Sequence, residues 1–83
     1  MGLIGRLERN IAKLEKRIEK EQMKIENLHE KCERNKITKA EFNIKEKHIE
    51  EKIHAMKSEM GSLHGEIAKA KRHLEEKTKE KKK

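Results

Sequence analysis

Apolar residues recur along this chain at alternating spacings of three and four. Ile4, Ile11, Ile18, Ile25 and Cys32 occupy one position of a heptad, and Leu7, Leu14, Glu21 and Leu28 occupy a second. In heptad notation these are a and d, and Ile at a with Leu at d favours two-stranded coiled coils. A second stretch repeats the pattern, with Phe42, Ile49, Met56, Leu63 and Ala70 at d and Glu46, Ile53, Met60, Ile67 and Leu74 at a. The flanking positions are polar: Glu8, Glu15, Gln22 and His29 at e, and Asn10, Arg17, Lys24 and Lys31 at g. So narrow a stripe is the seam of a coiled coil, not the wider face of a globular helix. The pattern predicts helix 1 over about residues 3–34 and helix 2 over about 38–79.

Between them, Asn35-Lys36-Ile37-Thr38-Lys39-Ala40-Glu41-Phe42 reads as a turn. Asn tolerates the left-handed conformation that ends many helices. Thr38 followed three residues later by Glu41 is a capping box, and Ile37 and Phe42 stand at the two positions of a hydrophobic staple. Glu41 also places a negative charge at the positive end of the helix dipole.

Folding the chain at this turn pairs every seam residue of helix 1 with one of helix 2 in a single register. The layers are Cys32–Phe42, Leu28–Glu46, Ile25–Ile49, Glu21–Ile53, Ile18–Met56, Leu14–Met60, Ile11–Leu63, Leu7–Ile67 and Ile4–Ala70. Arg17 with Glu59 and Glu15 with Lys57 become flanking pairs, while Lys31 meets Lys45 and Lys24 meets Lys52. The heptad phase also continues through the turn, so one uninterrupted helix of about 110 Å, paired in parallel with a copy of itself, is the competing architecture. It would bury Asn35, Lys39 and Glu46 in neighbouring layers, and each buried polar layer costs stability. The expectation is therefore an all-α antiparallel two-helix hairpin with its turn at about 35–37 and a longest dimension of about 60–70 Å. Its thin core leaves room for self-association or a partner helix to add stability.

The turn also resembles that of small prokaryotic helical-hairpin domains of the SHOCT type, in which a Gly, two aliphatic residues and a Thr are followed by acidic residues and a Phe. Here Asn35 stands in place of the Gly, and Ile37, Thr38, Glu41 and Phe42 match. Lys36 replaces an aliphatic residue and Ala40 an acidic one. The resemblance covers about residues 28–49. It implies a helical hairpin with a role in association and carries no catalytic residues.

Composition narrows the function classes. Of the 83 residues, 47% are charged, 31% are apolar and one is aromatic, which cannot fill a thick globular core. The net charge is +7, and residues 71–83 hold seven Lys/Arg against three Glu, so the end of the chain is the basic part. The expected organisation is a hairpin over 1–76 followed by a basic Lys-rich tail over 77–83, expected to fray because its lysines repel. A single Cys excludes an internal disulfide and fits a reducing compartment. No apolar run is long enough to span a membrane. The expected location is the cytoplasm.

Candidate chemistry is sparse. The five His residues never stand three or four apart, so no two share a helical face as metal ligands would. His29 is expected near Asn43 and Glu50. Glu21 and Glu46 lie in the seam, but a two-stranded coil offers carboxylates no enclosed pocket for acid–base work. Cys32 reads as a small core residue facing Phe42. No enzyme activity, cofactor, metal or small-molecule substrate is expected.

The expected function is a small oligomerisation or protein–protein interaction module whose partner is itself or another helical protein. Its interaction face is Ser58, Gly61, Gly65 and Ala68, small residues on the outer side of helix 2, with Leu74 overhanging the last layer. The alternative is an accessory nucleic-acid-binding protein whose tail, Lys77, Lys79, Lys81, Lys82 and Lys83, contacts phosphates. Against it, cations alternate with Glu along most of the chain, and bases would find no aromatic residues to stack on.

Overall fold

The computed structural model describes residues 2–81, and their side chains as far as residue 75. Two helices, α1 (Leu3–Glu33) and α2 (Lys39–Lys81), run antiparallel and pack along their length. The molecule extends 70 Å along its long axis and only 18 and 13 Å across it, the dimensions of a hairpin and not of a continuous rod. α2 reaches Lys81, past its expected end near residue 79 and into the segment expected to fray. No Gly or Pro follows Gly65 to stop it. Lys82, Lys83 and the side chains of Lys77, Lys79 and Lys81 lie outside the described residues.

The turn is built as its residues dictate. Asn35 adopts the left-handed conformation, with φ of 60°. Around it the Lys36 N–H donates to the Lys31 carbonyl at 2.8 Å, and the Asn35 N–H donates to the Cys32 carbonyl at 3.1 Å. Together these form a Schellman motif, which satisfies carbonyls at the end of α1 that would otherwise lack partners. Three residues on, the Thr38 hydroxyl accepts from the Glu41 N–H at 3.1 Å, and the Phe42 N–H donates to the Thr38 carbonyl at 2.9 Å to begin α2. Ile37 and Phe42 are both half-buried beside this cap.

Burial follows the heptad. Within the described part of the helices, the residues withdrawn from solvent are the eighteen of the nine seam layers, and every other position is exposed. Six are fully buried: Leu7, Ile11, Leu14, Ile18, Ile53 and Ile67. All but Ile53 lie from the middle of the hairpin to its open end, where Leu7, Ile11 and Ile67 form a cluster flanked by Ile4, Met60 and Leu63. Nearer the turn the layers contain Glu21, Glu46 and the small Cys32, and apart from Ile53 opposite Glu21 the seam is only half-buried. The tightest packing thus secures the end that the turn does not. α1 starts at Gly2 with neither a side-chain cap nor an acidic residue in its first turn, so the Leu7–Ile67 layer must hold that end closed.

Candidate interaction surfaces

The hairpin consumes its apolar seam internally, so binding must use what faces outward. The expected interaction face on α2 is fully exposed: Ser58, Gly61, Gly65 and Ala68 all face solvent. A Cβ built on Gly61 or Gly65 meets nothing within 4 Å. Neither Gly is therefore required by the packing of the hairpin. Leu74 is 56% exposed, and Leu3, Met23 and Ile44 are the other large apolar side chains left in water.

The charged residues are organised in a way that their linear order hides. On α1, positions c and g carry Arg6, Asn10, Lys13, Arg17, Lys20, Lys24, Asn27 and Lys31, and Arg34 at the helix end continues the row. That row has seven cations and no carboxylate. Positions b and e carry Gly5, Glu8, Ala12, Glu15, Glu19, Gln22, Glu26, His29 and Glu33, a row with five carboxylates and no Lys or Arg. Apart from Arg9, Lys16 and Glu30 on the outer face and Glu21 in the seam, the cations and carboxylates of α1 lie on opposite flanks in space. Alternation along the chain therefore does not dilute the positive face.

Helix α2 balances one flank and not the other. On the acidic side, Glu8, Ala12 and Glu15 border a shallow depression with His64 and Lys71, so opposite charges face each other. On the basic side, Lys24 and Lys31 of α1 border a depression with Lys45 and His48 of α2, over a floor of Leu28 and Ile49. The next depression joins Arg17, Lys20 and Lys24 to Lys52, over Met56 and the seam carboxylate Glu21. A third continues toward the open end through Asn10, Lys13, Arg17 and Lys20, with Glu59 opposite. The three share residues and form one groove. Cations line both of its rims near the turn, and the like-charged pairs foreseen from the register, Lys31 with Lys45 and Lys24 with Lys52, face each other across it.

One local ion pair, on Glu21, offsets this only in part. Lys24 Nζ lies 3.2 Å from Glu21 Oε1, one turn away. His29 Nε2 lies 3.1 Å from Glu33 Oε1, and its ring stands 5.8 Å from that of Phe42, tilted by 52°. The contacts of His29 are thus one turn along its own helix, at Glu33, and across the hairpin at the start of α2, at Phe42. Exposed long side chains gain little from pairing, and holding two of them in one geometry costs rotamer entropy.

The remaining chemistry-bearing residues are dispersed. Among the described residues no three His, Cys, Asp or Glu side chains come together as a metal site would require. Cys32 is a free, half-buried thiol in the layer of Phe42. Glu21 Oε2 is buried without a hydrogen-bond partner, a cost of placing a carboxylate in the seam. No helix of the described residues is long and apolar enough to cross a membrane.

Comparison with protein families, with curated proteins and with solved structures finds no match to this chain. The geometry alone carries the functional reading. The basic row could have been found in the sequence by sorting charges by heptad position instead of reading them in order.

Proposed function

We propose that this chain is a non-catalytic helical interaction module, whose partner is a second copy or another helix seated on the outer face of α2. The observation that carries this reading is the open space over Gly61 and Gly65. Each Gly in an exposed helix interior costs about 1 kcal/mol relative to Ala. The hairpin gains nothing for that cost, since no side chain or backbone approaches either position. A second helix would gain, because the row from Ser58 to Ala68 lets two backbones come close. The resemblance of the turn to SHOCT-type hairpins implies association as well. The small size of the buried core points the same way, since contact with a partner helix would add apolar burial to a chain that has little.

The test is the mass of the protein in solution. Gly61→Leu with Gly65→Leu fills the face and leaves the seam intact. If the face is an interface, the wild-type chain is larger than a monomer by light scattering at micromolar concentration, and the double variant is smaller. Equal masses for the two proteins would remove this face from the account.

A further inference from the structure

We infer that the groove on the basic flank of the hairpin binds the phosphate backbone of double-stranded nucleic acid. This site is distinct from the outer face of α2 and from the lysines at the end of the chain. Three observations on the fold lead to it.

The first is the length and continuity of the row. From Arg6 to Lys31 the cations of α1 line one straight flank of about 38 Å, with a cation or Asn at every turn. That matches about one turn of B-form duplex, ~34–36 Å. A duplex carries one negative charge per about 1.7 Å of its axis, wound around it on two strands, so a row one helical turn long crosses both backbones.

The second is the repulsion built into the free protein. Lys24 and Lys31 border the same groove as Lys45 and Lys52. The carboxylates that line the groove are Glu21 and Glu59, and Glu21 is already paired with Lys24. Like charges held across a seam weaken the hairpin, and a polyanion between them turns that repulsion into attraction. The acidic flank has no such run of like charges, since Lys71 faces Glu8 and Glu15 there.

The third is what the groove lacks. It has no Phe, Tyr or Trp and a single ring, that of His48, so successive bases have no platform to stack on, and an unpaired strand would gain little beyond its charge. A duplex needs no stacking platform, because its phosphates already lie outside. Lysine dominates the lining of the groove, where Arg17 is the one arginine, and lysine contacts phosphate as a point charge. Binding should therefore be indifferent to sequence. The acidic flank of a second copy is the other complementary surface, but its Glu8 and Glu15 already face Lys71, whereas the phosphates of a duplex carry no such counter-charge of their own.

The experiment is fluorescence anisotropy of a labelled random-sequence DNA duplex, about twice as long as the footprint, titrated with the full chain. The expected log–log dependence of affinity on salt has a slope of about −5 to −7, for six to eight phosphates neutralised. Lys20→Glu, Lys24→Glu and Lys31→Glu together should reduce affinity by about a hundredfold or more. Lys47→Glu, Lys57→Glu and Lys71→Glu lower the net charge equally but sit on the other flank, and should cost at most about tenfold. Circular dichroism verifies that each variant is helical. If the first set unfolds, the same three positions changed to Gln should make the salt slope shallower by about three. Equal losses from both sets would overturn the proposal, as the attraction would then be one of net charge. So would tighter binding to a single strand of the same length. Binding to phosphatidylserine-containing vesicles without binding to the duplex would also overturn it.

Discussion

The Lys36 N–H reaches back across Asn35 to the Lys31 carbonyl at 2.8 Å, and that bond is what turns the chain. It requires Asn35 at φ of 60°. Without it, the seam pattern would run on from α1 to α2 with no change of phase. Topology therefore depends on one residue's tolerance for the left-handed region. Asn35→Gly should leave stability unchanged or raise it. Asn35→Val should lower it by about 1–2 kcal/mol, because a β-branched residue clashes there. Urea unfolding followed by circular dichroism checks both. A Val variant as stable as the parent would mean that the turn is not the determinant described here.

Glu21 is the second local conflict. Its side chain is 15% exposed, Oε1 pairs with Lys24, and Oε2 is buried without a partner. It faces the layer of Ile53, itself buried. Glu21→Leu should stabilise the hairpin by about 1–3 kcal/mol, the cost of an unsatisfied buried polar group removed and an apolar contact added. The measurement is the urea midpoint at constant m-value. Destabilisation would show that the carboxylate serves the fold through contacts other than those seen.

Much of this fold can be read from the residues themselves. The seam register follows from one heptad pattern folded at Thr38, and each expected layer is withdrawn from solvent. The turn is legible because Asn35, Thr38 and Glu41 act locally, through bonds that span three to five residues. Local rules did not locate the tightest packing. The heptad treats Ile11 and Ile25 alike, yet only Ile11 is fully buried; Ile25 stands between the layers that hold the seam carboxylates Glu21 and Glu46. His29 meets both Phe42 across the hairpin and Glu33 four residues along its own helix, a spacing that shares a helical face. The basic groove was obscured because charge read in chain order mixes flanks that a 3.6-residue period separates. The small-residue face is visible in sequence as two Gly within a helix, but only the packed hairpin shows that nothing inside the molecule accounts for them.

The antiparallel hairpin underlies both proposed surfaces, since the groove exists only where α2 returns alongside α1. Small-angle scattering on a reduced sample, with mass measured on the same material, tests it most directly. The hairpin requires a particle whose longest dimension, for one chain, is near the 70 Å of the structure. A rod of about 110 Å or more with the mass of two chains, the length expected of one continuous helix, would contradict the turn, the register and the groove together.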